Sequence, residues 1–461
     1  MLKRYIGDRA FYRRILGIAI PIMIQNGITN FVSMLDNLMV GQVGTIQMSG
    51  VSIANQLIFI FNICIFGAAA GAGIFTAQFH GKQDHEGIRH AFRFKILICF
   101  ALSLIGIGVF FVGGGALVKL YLQGEGDPKD AAMILGHGIA YLRIMLIGLI
   151  PFAITNAYSS TLRECGQAVV PMAAGIWAVL INLVLNYVLI FGHFGAPALG
   201  IEGAAIATVI ARFVETAIVM IWTHRHHSQH PFIKGVYNSL HIPGQLLGQI
   251  IRKGTPLLLN EFLWVTGMSI INQSYSTCSL DVVPAMNIAT TISNLSSTVY
   301  ISIGTAIGIL MGQILGSGVA EEEVRSTNRK LLFMGVASGV VFGILLLIIS
   351  DLFPHAFNTT QAVRELAATL IRIGALLMPF YAFTFATFFT LRSGGQAWIT
   401  FAFDGGYVWS LCVPLAFCLS RFTDLPIIPL YIICQCPEFL KCILGSRMLR
   451  KGKWIKNLTI T

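Results

Sequence analysis

RRILGIAIPIMIQNGITNFVSMLDNLMVGQVG, residues 13–44, decides the fold. From Ile15 to Val40 it is apolar but for scattered amides and hydroxyls, with Pro21 near its start and Asp36 near its end. A helix needs about 20 such residues to cross a bilayer. The run is too long for the core of a signal peptide, and no small-residue cleavage site follows it. It reads as a retained first membrane span. A carboxylate inside hydrocarbon costs roughly 2.5–3.5 kcal/mol on insertion scales, so a chain that carries one there puts it to use.

The rest of the chain repeats this character. Of 461 residues, 55% are hydrophobic and only 11% charged, and the mean hydropathy is +0.75. A soluble protein has about 25% charged residues. The fold class is therefore all-α integral membrane. Twelve spans are predicted, at about 15–40, 51–78, 92–118, 132–160, 169–192, 201–223, 253–277, 284–314, 331–351, 366–389, 398–420 and 427–447. No room is left for a soluble catalytic domain, and no catalytic set or metal-ligand spacing is evident, so an enzyme is not expected. The nine cysteines lie mostly inside spans and read as small apolar packing residues.

Lys and Arg give the orientation. With both ends cytoplasmic, 23 of the 31 basic residues fall in inside segments. Only Lys119, Lys129, Arg364 and Arg421 fall outside. The net charge of +11 is thus topology and contact with anionic lipid, not a nucleic-acid footprint. The expected location is the cell (plasma or inner) membrane, with the lipid bilayer as partner and the single chain as working unit.

The longest hydrophilic stretch, THRHHSQHPFIKGVYNSLHIPGQLLGQI, divides the chain into an N-terminal six-helix lobe (1–223), a cytoplasmic linker (224–251) and a C-terminal six-helix lobe (252–461). Its histidines read as part of a solvated basic loop. The two lobes repeat. Pro21 matches Pro256, and Gln78 and Gly81 match Gln313 and Gly316, all at an offset of 235. Arg143 matches Arg372, and TLRECGQA from Thr161 matches TLRSGGQA from Thr390, at 229. Six spans per repeat keep both halves in one orientation, related by an axis along the membrane normal, an arrangement found in transporters.

The acids within spans divide by their helical neighbours. Glu215 has Arg212 at i−3 and Glu438 has Lys441 at i+3, pairs that neutralise one another locally. Glu202 and Asp351 sit at span ends. Asp36, Glu261 and Asp404 have no basic residue at i±3 or i±4 and are expected to be unpaired. Desolvation disfavours the charged form of a carboxylate, so such a group accepts a proton or a cation and gives it up when water enters. Asn182 and Asn186 share a face of span five, and Thr208 lies on span six. Asn260 and Asn272 lie on span seven, and Asn287 and Asn294 on span eight. These side chains can solvate a carboxylate or a cation, or equally hydrogen-bond one helix to the next.

LDNLMVGQVG closing span one, the GQ-type turns after spans two and eight, LRECGQA and LRSGGQA, and INLVLNYVLIFGHFGAPALGIEGAAIAT across spans five and six together resemble the multidrug and toxic compound extrusion (MATE) family. The resemblance covers essentially the whole chain. It implies two six-helix lobes facing a central cavity, export of amphiphilic and often cationic small molecules, and antiport against H⁺ or Na⁺ with no other cofactor. It implies a coupling role for Asp36, with Asn182 and Thr208. The acid that some members carry four residues beyond the helix-five Asn is Asn186 here. Glu261 lies in the region where other members place a helix-seven acid, while span ten, around Tyr381, lacks the matching one. Asp404 is taken to compensate. Gln25, Asn26, Asn260, Trp264, Asn272 and Tyr381 are expected to line the substrate cavity. The alternative is a flippase for a lipid or lipid-linked oligosaccharide, whose cavity is expected to be rich in Arg and Lys. Only Arg143, Arg212, Arg372 and Lys441 lie within spans.

Overall fold

The structure, a computed structural model, describes residues 5–122, 128–279 and 281–459. Lys3 and Arg4, two of the basic residues used for orientation, lie outside the described residues. The helices are α1 (Arg9–Gly41), α2 (Thr45–Lys82), α3 (His85–Tyr121), α4 (Pro128–Ile147), α5 (Leu149–Glu164), α6 (Val169–Phe191), α7 (Gly200–Arg225), α8 (Gly244–Ser276), α9 (Val282–Gly316), α10 (Glu321–Ile349) and α11 (Gln361–Ser393). Then follow α12 (Ala397–Phe403), α13 (Gly405–Tyr407), α14 (Val413–Phe422), α15 (Ile427–Gln435) and α16 (Pro437–Lys451). Among the described residues, eleven helical segments are long and apolar enough to cross a membrane. The twelfth span is α8, 33 residues long, whose hydropathy is diluted by Asn260, Glu261 and Asn272. Span four is α4 and α5, broken at Gly148. Span eleven is α12 to α14 and span twelve is α15 and α16.

Local chemistry sets the ends and breaks. Asp84 caps α3 by accepting from the Gly87 amide at 2.8 Å, and left-handed Gly192 closes α6. Pro21 lies inside α1 and Pro256 inside α8, where each removes a backbone donor and loosens the helix. Small residues allow close helix contact without a hydrophobic drive between helices in lipid. Gly335, Gly339 and Gly343 lie at i, i+4 and i+8 on α10; added Cβ atoms at Gly339 and Gly343 would press on α11 at Ala382 and Ala375, and one at Gly335 would touch Ala386.

The chain packs as two compact units. One holds the described residues of 24–76 and 84–250; the other holds those of 1–23, 77–83 and 251–461. In the first, Val40, Ala54, Leu57, Tyr141, Met145 and Ala205 belong to one apolar core. In the second, Ile288, Leu370, Ile371 and Met378 centre another.

The hydrophilic stretch after α7 is docked, contrary to the solvated loop expected from composition. His230, Phe232, Ile233 and Val236 are buried. Arg93 of α3 donates to the Val236, His241 and Gly235 carbonyls at 2.8, 3.1 and 3.1 Å. Arg89 donates to Phe232 O at 3.2 Å. A loop whose carbonyls face guanidiniums has its backbone needs met by protein rather than water.

Candidate functional site

In the first unit, α1 brings Asp36 against α6. Asn186 Nδ2 donates to Asp36 Oδ1 at 2.7 Å. The amide of Asn182 is placed by its hydrogen-bond network. With its nitrogen toward the carboxylate it donates to both Asp36 oxygens at 3.1 Å, and its oxygen accepts from Thr208 Oγ1 at 3.2 Å. The i,i+4 spacing on α6 is what aims both amides at one carboxylate. Among the described residues, no ion pair forms at Asp36. The half-buried carboxylate opens on a cavity of about 460 Å³ lined by Ser33, Asn55, Gln56, Asn62, Tyr141 and Arg212 among others. The oxygens Asn186 Oδ1 and Asn62 Oδ1 are buried without a hydrogen-bond partner among the described residues. This site can hold a proton or a small cation on an oxygen-rich wall.

The other two acids expected to be unpaired are not. Asp404 Oδ1 accepts from Lys441 Nζ at 2.8 Å, and Oδ2 accepts from Asn260 Nδ2 at 3.0 Å. Lys441 was expected to neutralise Glu438, one turn away on its own helix. It points instead across to span eleven, and Glu438 takes a 2.5 Å hydrogen bond from Thr384 Oγ1. Glu261 faces Arg392 Nη1 at 4.0 Å. Helical spacing sees partners only on the same helix; these partners lie 37 and 131 residues away along the chain.

The remaining expected residues scatter. Gln25 packs over Gly175 of α6, and Asn26 is half-buried beside it on α1. Trp264 joins the core around Ile271 and Val413. Asn272 is exposed, and twelve residues from Asn260 it lies about a third of a turn round α8. Tyr381 donates to Gln435 Oε1 at 2.7 Å. The sequence reading missed Asn55, Gln56 and Asn62 at the Asp36 cavity. Their signal was available, since Asn55 and Asn62 lie at i,i+7 on one face of α2. It also missed Lys95. Lys95 is fully buried in α3 and paired with Glu164 of LRECGQA, with the Thr161 and Ser160 hydroxyls at 3.1 and 3.2 Å.

The basic residues within spans are occupied or surface-bound. Arg212 donates to Gly148 O at 3.2 Å, at the break between α4 and α5, and lies over the Phe152 ring at 5.0 Å. Arg372 pairs with Asp351, and Arg143 is exposed.

Known proteins are similar to this chain in sequence and fold. The probable multidrug resistance protein NorM of Thermotoga maritima is 23% identical over 451 residues, 97% of this chain and 94% of that one. The probable multidrug resistance protein YoeA of Bacillus subtilis is 24% identical, over 90% of this chain and 88% of that one. Among solved structures, an outward-facing multidrug resistance MATE family transporter of the MOP superfamily superposes with a TM-score of 0.84 at 17% identity, covering 98% of each chain. A MOP superfamily transporter from Pyrococcus furiosus, described as having a binding pocket of reverse polarity, gives 0.81 at 17% identity, again over 98% of each chain. The family model MatE matches residues 21–188 and 256–417, one segment in each repeat. With both repeats matched and relatives aligned nearly end to end, this chain belongs to the MatE family of multi-pass membrane transporters.

Proposed function

We propose that this protein exports amphiphilic, often cationic, small molecules across the cell membrane in exchange for H⁺ or Na⁺, with both termini in the cytoplasm and the single chain as the transporting unit. The observation that carries the reading is Asp36: a carboxylate solvated by two amides, outside any ion pair among the described residues, on the wall of a cavity. A charge held by neutral dipoles can be neutralised by an incoming cation without breaking a salt bridge. The relatives named as multidrug resistance proteins support the substrate class.

In this cycle Asp36 takes the coupling cation from the outside. Neutralising it weakens its hold on Asn186 and Asn182 and changes how α1 packs against α6. The chain of α1 leaves one packing unit for the other between Met23 and Ile24, two residues after Pro21. Proline supplies the loosened turn about which the outer half of α1 moves. The ligand-bound and cation-bound forms then differ in which state they stabilise, which is all that exchange requires.

The flippase alternative fits less well. A pyrophosphate site needs several uncommitted guanidiniums or ammoniums, and Arg212, Arg372 and Lys441 are engaged as described.

The test is efflux of ethidium from proteoliposomes under an imposed pH gradient and then a Na⁺ gradient. Wild type is expected to move ethidium under one of the two, and Asp36→Asn to lose the gradient-driven component while still folding. Wild type that moves no ethidium under either gradient would falsify the reading.

A further inference from the structure

The second unit contains a buried carboxylate whose surroundings are built like a cation site. The span that carries Asp404 is discontinuous, a feature that in transporters places free backbone groups at an ion. α12 ends at Phe403, and Asp404 leaves the helix with φ −113° and ψ −87°. The freed Gly405 amide donates to Asn260 Oδ1 at 2.8 Å, and a wide π turn follows at Val408–Cys412. On the facing span, α15 runs into α16 through Cys436 with helical backbone angles, and Tyr407 OH ties the span to the break at Asp404 by donating to Pro437 O at 2.6 Å. Asp404 at the break and Lys441 on α16 face each other, with side chains only 14% and 11% exposed. Lys441 is also 5.3 Å from the centre of the Phe403 ring, a face that attracts a cation.

Asp404 and Lys441 offset one another as a pair. Asp404 carries one negative charge and Lys441 one positive. The other ionisable groups nearby are Glu438, held by Thr384 Oγ1, Glu261, facing Arg392, and the Cys412 thiol. A free monovalent cation entering beside Asp404 would meet an ammonium already bonded to the carboxylate. The first unit is the opposite case: Asp36 has amides where Asp404 has an ammonium.

We propose that Lys441 is a tethered cation, filling the place at Asp404 that a free proton or sodium ion would occupy, so that this half of the protein carries a cation site closed by the chain itself. Resting on the antiport reading above, it follows that one coupling cation binds per cycle, at Asp36. Exchange of that ion for a monocationic substrate then moves no net charge.

The test uses Lys441→Gln and the double variant Lys441→Gln/Asp404→Asn. In an Asp36→Asn background, which removes the first site, thermal unfolding is followed while Na⁺ is titrated and, separately, as pH is lowered. The single variant is expected to gain a few degrees in Tm with one of the two cations, and the Na⁺ and acid arms tell which. The parent and the double variant are expected to stay flat. With Asp36 intact, ethidium exchange in proteoliposomes is then measured under an imposed membrane potential. Wild type and the double variant are expected to be insensitive. Lys441→Gln is expected to become voltage-driven, its steady-state ratio changing about 50-fold per 100 mV for one extra charge per cycle.

The proposal is overturned if Lys441→Gln shows no cation dependence beyond its parent, or if it cannot be purified in any cation. It is also overturned if the charge-balanced double variant fails to transport, since the pair would then be a structural one. Failure of wild type to export ethidium at all sinks the antiport reading instead, and the thermal arm still judges Lys441.

Discussion

Asn186 donates to Asp36 at 2.7 Å, and that one neutral amide sets the charge of the site at a single carboxylate. Replacing it by aspartate would place two carboxylates within contact distance. Like charges this close do not both stay ionised unless a cation lies between them. Asn186→Asp is therefore expected to acquire Na⁺-dependent thermal stabilisation several degrees larger than that of wild type, read by unfolding in Na⁺ against choline. An unchanged Na⁺ response would mean that the two side chains separate rather than share an ion. The amide pair and Asp36 were legible from the i,i+4 spacing and the family resemblance. Lys441 was misassigned because Glu438 lies one turn away, and one turn is as far as a helical-spacing argument reaches.

At the scale of elements, the repeat motifs do more than mark symmetry. Within one packing unit, an added Cβ at Gly81 would run into the backbone of Gln313, and one at Gly316 into the backbone of Gln78. The two motifs, offset by 235 residues, thus meet each other reciprocally, glycine against glutamine. Gln78 is held there by the Ser393 and Lys456 carbonyls at 2.9 and 3.1 Å and by the Leu458 amide at 2.7 Å. Arg14 donates to Gln313 Oε1 at 2.8 Å. Backbone has no room to yield, so Gly81→Leu and Gly316→Leu are each expected to abolish the monodisperse peak in fluorescence-detected size exclusion. Gly108→Leu, at a position with open space around its Cα, should leave it intact. A normal peak for Gly81→Leu would show that the α2 and α9 ends separate freely.

For the whole molecule, topology and energetics are linked. The proposed orientation rests on basic residues concentrated in alternate segments. In a cysteine-free background, a cysteine placed at Ser228 is expected to react with an impermeant maleimide only from the cytoplasmic side, and one at Gly195 only from outside. The reverse pattern would invert the direction of transport proposed here. One charge crossing 100 mV is worth about 2.3 kcal/mol, so the number of cations per cycle decides whether the potential or the pH gradient drives export. On the proposal above, that number is set by which buried acids are already paired.

The sequence by itself determined the class of the protein, its twelve spans, the repeat and the family, because hydrophobic length and Lys/Arg bias act locally along the chain and survive without a partner. It also singled out Asp36, whose relevant neighbours sit at helical spacing on one facing helix. Only the tertiary structure decided which carboxylates are compensated. Asp404 finds Lys441 and Glu261 finds Arg392 across helices that are remote in sequence. The energy of a buried charge depends on what lies within a few ångströms of it in space, and that distance is set by packing rather than by sequence separation.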